Sequence, residues 1–169
     1  MKINIESSRL CMRQINASDE SFFKALHSDN RVTHLCFDVP TDAEIHQKFI
    51  QRLPPWHVSA SHWLCLTIVE KETGKKVGIT GFIIDGNKAE VGYLLTPECH
   101  GFGFATESLQ ALLNWAQFHL PDIAFEATVT YGNTQSERVL SKCGFTLVKR
   151  VPDAYMIDGQ WHDDMIYAL

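Results

Sequence analysis

A glycine-spaced turn near the middle of the chain is the clearest candidate for chemistry. It reads His100-Gly101-Phe102-Gly103-Phe104-Ala105 and follows an apolar segment over residues 90–95 and a break at Pro97. Its two glycines have no Cβ, so backbone amides can approach a ligand closely. An amphipathic helix begins directly after the turn, and its free N–H groups and positive dipole end face the same point. The arrangement predicts a site for phosphate oxygens.

Two common phosphate motifs do not fit this turn. A Walker loop requires Gly-Lys followed by Ser or Thr, and Gly74-Lys75 is followed by Lys76. A dinucleotide fingerprint requires a third glycine where Thr106 stands. Two interpretations remain open at this point. The turn is either a plain connection between strand and helix or a coenzyme A pyrophosphate loop.

Two segments together resemble the GNAT superfamily of N-acetyltransferases. The turn resembles its coenzyme A loop, Gln/Arg-x-x-Gly-x-Gly/Ala, at Gly103 and Ala105 and departs from it at His100. Downstream, the residues from Asn133 to Phe145 resemble the Asn-x-x-Ser…Gly-Phe helix of that family. The segments 8–13 and 164–169 look like the RimJ/RimL-like branch, the ribosomal-protein alanine acetyltransferases.

The resemblance implies an α+β fold with one N-acetyltransferase domain over residues 1–169. The sheet would be mixed and mostly antiparallel, with about seven strands, helices on both faces and a splayed central strand pair. Hydrophobic patterns agree with that order and predict the strands at 10–15, 62–70, 76–84, 90–95, 123–130, 145–150 and 162–168.

The helices expected between these strands have recognisable ends. One begins near Ser18, and a second begins at a capping box from Thr41 to Glu44 and ends before Pro54-Pro55. The helix after the glycine turn presents one apolar stripe to the sheet: Leu109, Leu112, Leu113 and Ala116. The last helix covers residues 133–143 and stops at Gly144. By resemblance, the first two helices wall the acceptor pocket and bring residues 31–40 near the substrate.

The same resemblance implies how the chain holds acetyl-CoA. Backbone amides of the glycine turn would bind the pyrophosphate, and main-chain groups of Leu94 and Leu95 would pair with the pantetheine arm as an added strand. His100 stands where the family has glutamine or arginine, and at neutral pH a histidine is a weaker anion partner than arginine. The full expected set for the cofactor is Leu94, Leu95, His100, Gly101, Phe102, Gly103, Phe104, Ala105, Thr106 and Asn133.

Acetyl transfer to an amine also needs a base and an oxyanion donor. An ammonium group cannot attack a thioester, so a base must remove its proton. Glu90 is the first candidate because it begins the strand that contacts the donor; Glu126 is the second, and a solvated strand-end carboxylate is the alternative for each. By resemblance, the backbone N–H of Leu95 stabilises the oxyanion.

The departing thiolate has one candidate partner. Many members of the superfamily place a tyrosine seven residues after the Asn133 position, where this chain has Leu140. The RimJ/RimL-like branch instead carries a serine at the position of Ser136, whose hydroxyl would hydrogen-bond the sulfur. The alternative interpretation is a serine that only caps the helix or lies on its surface.

Composition limits the class of protein. The 169 residues carry a net charge of −5, which argues against broad nucleic-acid binding and suits a cationic acceptor. Five cysteines without a Cys-x-x-Cys pair indicate reduced thiols and a cytoplasmic protein, and the histidines show no metal-ligand spacing. We expect neither a metal nor a membrane segment, and the oligomeric state stays open.

The sequence thus predicts an acetyl-CoA-dependent N-acetyltransferase, a transferase that moves acetyl directly to a primary amine. The favoured acceptor is a protein or peptide N-terminus, such as that of a ribosomal protein, by resemblance only. The alternatives are a small-molecule amine (a polyamine, amino acid or drug) and a non-catalytic acyl-CoA-binding domain.

Overall fold

The computed structural model describes residues 3–169, which form an eight-stranded sheet with helices on both faces. The strands lie in the order β1-β2-β3-β4-β5-β6-β8-β7, and all neighbours pair antiparallel except β5 and β6. This confirms the predicted class of sheet. The strands are β1 Asn4–Glu6, β2 Leu10–Gln14, β3 Leu64–Glu70, β4 Lys76–Asp85, β5 Lys88–Leu95, β6 Ala124–Thr130, β7 Thr146–Ile157 and β8 Gln160–Ala168.

Two strands differ from the sequence-based expectation. The three-residue β1 is additional, and it pairs with β2 at one edge of the sheet. At the other edge, β7 continues to Ile157 instead of ending near Arg150. Pro152 lacks an N–H donor, which an edge strand tolerates, and Asp153 beside it has a φ of 46° within an irregular stretch of the β7–β8 pairing.

Five α-helices complete the domain, and their caps follow the sequence. Thr41 and Glu44 form the predicted capping box, in which the N–H of Glu44 donates to the Thr41 hydroxyl at 3.3 Å and the N–H of Thr41 donates to the Glu44 carboxylate at 2.8 Å. The helices are α1 Glu20–Ser28, α2 Asn30–Thr33, α3 Asp42–Gln51, α4 Phe104–His119 and α5 Thr134–Lys142. Within residues 3–169, none has the length and apolar composition needed to cross a bilayer.

The helices pack on opposite faces of the sheet. The predicted stripe of α4, from Leu109 to Ala116, is fully buried in the larger apolar cluster. On the other face, α1 and α3 bury Phe23, Leu26, Ile45 and Phe49 against Cys65 and Ile79 of the sheet and against Ile15, which follows β2. The central strands are therefore packed against helices on both faces.

The expected splayed strand pair lies at the centre of the sheet. β5 pairs with β6 only where residues 88–90 face residues 124–126. Beyond Glu90, β5 stays with β4 as far as Leu95, while β6 stays with β8 as far as Thr130. Because each strand keeps its outer partner, the two diverge and leave a wedge-shaped gap between them.

Candidate active site

The backbone of β5 has free hydrogen-bonding positions on the side of this gap. The N–H of Thr96 donates to the carbonyl of Val77 on β4 at 3.0 Å. In an antiparallel pair, residues alternate between facing the partner strand and facing away. The backbone groups of Leu94 therefore face β4, whereas those of Tyr93 and Leu95 face away from it. The N–H and C=O of Tyr93 and the N–H of Leu95 point into the gap, and the Leu95 carbonyl accepts a hydrogen bond from His100. The N–H of Leu95 therefore faces the gap, as an oxyanion donor must. The expectation that Leu94 pairs with a ligand in the gap is wrong, because its backbone groups face β4; Tyr93 takes that place.

The glycine turn lies directly beyond the end of β5. Gly101 and Gly103 have φ values of 83° and 79°, a left-handed conformation that glycine adopts without strain. α4 begins at Phe104, and Gly103 provides no side chain to cap it. The first N–H groups of α4, which include those of Ala105 and Thr106, consequently face outward as donors for an anion.

Two aromatic residues and His100 define the shape of the turn. Phe102 is 61% exposed and stacks on the buried Phe104 with ring centroids 5.9 Å apart. The Nε2 atom of His100 lies 3.1 Å from the carbonyl oxygen of Leu95, so this ring N–H donates to it. His100 thereby ties the turn to the end of β5.

Arg9 adds a cation beside the turn that the sequence argument did not assign. Its guanidinium lies 4.6 Å from the centre of the Phe104 ring, and its Nε donates to Glu107 at 2.7 Å. Ser7 also donates to Glu107, at 2.7 Å. Although burial opposes ionisation, these hydrogen bonds keep the pKa of Glu107 below its ordinary value. Arg9 belongs to the segment 8–13 that resembles the RimJ/RimL-like branch. Because Arg9 is far from the turn along the sequence, no local pattern indicated this contact.

The helix α5 closes the other side of the gap. The side chain of Asn133 accepts a hydrogen bond from the N–H of Ser136 at 3.3 Å and so caps the helix. The carbonyl of Ser136 accepts a hydrogen bond from the Tyr93 hydroxyl at 3.1 Å. Burial raises the pKa of Tyr93 well above its ordinary value, so its hydroxyl stays protonated. Ser136 and Tyr93 thus lie on the two walls of the gap and line it together.

A cavity of about 370 Å³ opens from the gap toward α1 and α3. Glu90, Ser136 and Asn133 line it together with Asp164 of β8 and Arg52 at the end of α3. The loop expected near the substrate lines it as well, through Leu35, Cys36 and Phe37. The structure therefore brings the candidate base, the candidate thiolate partner and the edge of β5 to one cavity.

The electrostatics of the cavity distinguish the two candidate bases. Burial raises the pKa of Glu90, and the neighbouring charges of Asp164 and Glu126 raise it further. The carboxylate of Glu126 is instead held by Lys88 at 2.5 Å and does not line the cavity. A carboxylate with a raised pKa that faces a cavity is suited to accept a proton near neutral pH. Geometry and charge both favour Glu90.

Asp164 is the carboxylate that the sequence argument missed. It lies in the closing segment 164–169, which resembles the RimJ/RimL-like branch, but nothing in that segment indicates that β8 faces the cavity. Burial raises the pKa of Asp164, and Asp163 beside it adds to the effect. Two carboxylates, those of Glu90 and Asp164, thus line the cavity. In the part of the chain that the structure describes, no group of three or more His, Cys, Asp or Glu side chains could hold a metal ion.

Residues 9–146 match the family model described as the acetyltransferase (GNAT) domain. The chain therefore belongs to the GNAT acetyltransferases, which confirms the family inferred from the two motifs. An uncharacterized N-acetyltransferase of Bacillus licheniformis, p20, is 28% identical over 167 residues, covering 96% of this chain and 93% of the relative.

Solved structures share the fold at lower identity. Spermidine N-acetyltransferase from Vibrio cholerae, in complex with CoA and spermine, superposes with a TM-score of 0.83 at 18% identity, covering 96% of each chain. The ribosomal-protein-S5-alanine acetyltransferase from Vibrio fischeri gives 0.83 at 19% identity, covering 99% of this chain and 96% of its own. These structural similarities establish the fold. The names of the two neighbours indicate two different classes of acceptor, a polyamine and a ribosomal protein.

Replacement of Glu90 by glutamine should stabilise the folded protein at pH 7 and have little effect at pH 3.5. Because the pKa of Glu90 is raised on folding, the folded state favours the protonated carboxyl and loses stability as the pH rises through that pKa. Glutamine resembles the protonated form at every pH. Urea unfolding of both proteins at the two pH values measures the difference.

Glu72→Gln serves as the control, because Glu72 lies in the exposed β3–β4 turn and should give no pH-dependent difference. A Glu90→Gln protein that is less stable than the wild type at pH 7 contradicts a raised pKa for Glu90.

Proposed function

We propose that this GNAT protein transfers acetyl from acetyl-CoA directly to a primary amine, favouring the N-terminal amine of a protein or peptide. The observation that carries the proposal is the gap between β5 and β6, with the outward backbone groups of Tyr93 and Leu95 next to an anion-binding turn. An extended thiol arm joined to a diphosphate matches these two adjoining features.

The donor would lie along the gap. Its diphosphate would accept hydrogen bonds from the backbone N–H groups that begin α4, supported by the dipole of that helix. Its pantetheine arm would pair with the N–H of Leu95 and the C=O of Tyr93 as an added strand, in the way that extended peptides add to a sheet edge; the Leu95 carbonyl is already held by His100. His100 would act by fixing the turn to β5, and Asn133 by fixing the first turn of α5 beside the arm.

The chemistry then follows from the groups at the closed end of the gap. Glu90 accepts a proton from the substrate ammonium, and the neutral nitrogen attacks the thioester carbon. The negative charge that develops on the carbonyl oxygen is stabilised by a backbone N–H of β5 that faces the gap. Because the arm enters from the turn and passes Leu95 first, we assign this donor to Tyr93 in place of Leu95, and the proton reaches Glu90 through water. One such donor lowers the barrier by about 3 kcal/mol in other acyl-transfer enzymes. The carbon–sulfur bond breaks, the coenzyme A thiolate takes up the second proton of the attacking nitrogen, and the neutral acetylated amine leaves.

The coenzyme A sulfur would lie between β5 and α5 when the thiolate forms. Leu140 is fully buried at the position where many relatives have an acid, so no proton donor comes from there. The Ser136 hydroxyl would donate a hydrogen bond to the thiolate, with the Tyr93 hydroxyl on the facing wall. Because a thiol with a pKa near ~8.5 is already a fair leaving group, we assign Ser136 a modest contribution.

The carboxylates of Glu90 and Asp164 support a cationic amine as the acceptor. A peptide α-amine has a pKa of about 7.7–8.0 and needs only a weak base. A polyamine, the class bound by the Vibrio cholerae neighbour, would satisfy the same carboxylates and remains the second candidate. The five free cysteines of the chain suit a reducing compartment, and we propose the cytoplasm.

Gly101→Ala should weaken the binding of coenzyme A at least about tenfold, since the new side chain disfavours the left-handed φ and obstructs the approach of the diphosphate. Gly74→Ala is a matched control. It has a similar φ of 69°, and an added Cβ meets nothing within 4 Å at either position. Both variants should lose about 1–2 kcal/mol of stability. Calorimetry with coenzyme A should then separate them; equal affinity in the two variants contradicts the assignment of the turn.

The wild-type protein should release coenzyme A thiol from acetyl-CoA in the presence of an amine and yield the acetylated amine by mass spectrometry. Peptides with different N-terminal residues and spermidine form the acceptor panel. Glu90→Gln should lower kcat/KM by about 100-fold, the lower range for loss of a general base. Glu126→Gln should stay within about threefold of the wild type, because its carboxylate is occupied by Lys88.

Coenzyme A binding without thiol release for any acceptor favours the non-catalytic acyl-CoA-binding alternative. Wild-type activity in Glu90→Gln combined with a large loss in Glu126→Gln reverses the assignment of the base.

A further inference from the structure

The cavity has opposite charges at its two ends. Glu90 and Asp164 line one end, and Arg52, the residue that ends α3, lines the other. We propose that Arg52 binds a carboxylate of the acceptor whose amine lies at Glu90. This inference rests on the proposed function and narrows its acceptor to molecules that carry both an amine and a carboxylate.

The guanidinium of Arg52 lies against aromatic rings rather than against acids. It is 5.4 Å from the centre of the Phe23 ring and 5.2 Å from that of Trp63, and the residue is half-buried. Over residues 3–169, none of the ion pairs involves Arg52. A partly desolvated cation without an ion-pair partner inside a cavity is a position for an anionic ligand group.

The titratable groups around Arg52 do not neutralise it. Burial, together with the charges of Arg52 and Lys48, lowers the pKa of His27 to about 4, so the imidazole is neutral at pH 7. Burial raises the pKa of the Cys65 thiol to about 11. The buried carboxylate of Asp19, which also affects Cys65, is already held by Arg13 and Lys76, each at 2.7 Å.

A second cation lies one helical turn away. Lys48 and Arg52 are four residues apart along α3, a spacing at which like charges repel. Burial lowers the pKa of Lys48, and repulsion by Arg52 lowers it further. The ammonium group of Lys48 lies 5.2 Å from the centre of the Phe37 ring, which lines the cavity. This end of the cavity therefore carries a positive potential that a carboxylate would relieve.

Trp63 connects the two ends of the cavity. An added Cβ on Gly92 would lie 3.3 Å from the Trp63 ring, so the ring packs directly on β5. Glu90 is on the same face of β5, about 7 Å from Gly92 along the strand. The Glu90 carboxylate and the Arg52 guanidinium are thus separated by on the order of 10 Å across one aromatic ring.

This separation fits an acceptor whose amine and carboxylate are several bonds apart. An acidic side chain near a peptide N-terminus has this chemistry, and so does a free acidic amino acid. A polyamine would instead bring a positive charge against Arg52, which disfavours it. The acceptor class indicated by the cavity is therefore an amine that also bears an acid.

Binding to the coenzyme A-loaded protein tests this assignment without depending on turnover. The acceptors are the peptide amides Ala-Glu-Ala and Ala-Gln-Ala, which differ only in one carboxylate, together with free glutamate and spermidine. By calorimetry, the wild type should bind the Glu peptide about tenfold tighter than the Gln peptide, as expected for a hydrogen bond between charged groups. Arg52→Gln should abolish the difference, and Arg52→Lys should keep part of it.

Lys24→Gln is the control, because it removes the same charge from the exposed face of α1 and should retain the full preference. Tighter binding of glutamate than of the Glu peptide identifies a free amino acid as the source of the carboxylate, and the reverse identifies a peptide. Equal binding of the two peptides, a preference for spermidine, or an equal loss for both peptides in Arg52→Gln overturns the proposal. A retained preference without acetyl transfer counts against the proposed function alone.

Discussion

The site depends on the point where β5 loses its second neighbour. A strand inside a sheet normally has all of its backbone N–H and C=O groups paired, and an unpaired group away from water is costly. Here β6 leaves β5 after Glu90, because β6 is held by β8 and β5 by β4. The N–H and C=O of Tyr93 and the N–H of Leu95 then point into a gap, where water or a ligand must satisfy them.

The surrounding elements make the two ends of that gap attract opposite charges. The glycine turn and the start of α4 make its open end attractive to anions, while His100 fixes the turn to the carbonyl of Leu95. At the closed end, carboxylates from two strands repel each other and favour a bound proton or a cation. An anionic donor and a cationic acceptor therefore approach the same stretch of β5 from opposite sides, which brings a thioester and an amine together.

Local sequence signals predicted most of the fold. The Thr41 capping box and the Leu109–Ala116 stripe are properties of neighbouring residues, and both are present. The extent of β7 was missed because Pro152 normally ends a strand and only its place at the sheet edge permits it. The splayed strand pair was expected only by family resemblance, since neither β5 nor β6 contains a residue that requires divergence.

The site residues that the sequence did not predict are brought there by contacts between distant segments. Arg9 approaches the turn, Asp164 faces Glu90, and Arg52 lies over Trp63 only because separate strands and helices converge. Spacing along the chain carries no signal for such contacts. Sequence spacing also could not show that the backbone of Leu94 faces β4, because this depends on the hydrogen-bond register between β4 and β5.

The most direct test is amide hydrogen exchange along β5, measured by NMR with and without coenzyme A. The account predicts that coenzyme A slows exchange at the amides of Tyr93 and Leu95, which face the gap. The amides of Gly92 and Leu94, which face β4, should change little and serve as internal controls. Protection that is absent from Tyr93 and Leu95, or equal at all four amides, would contradict the claim that the free edge of β5 holds the donor.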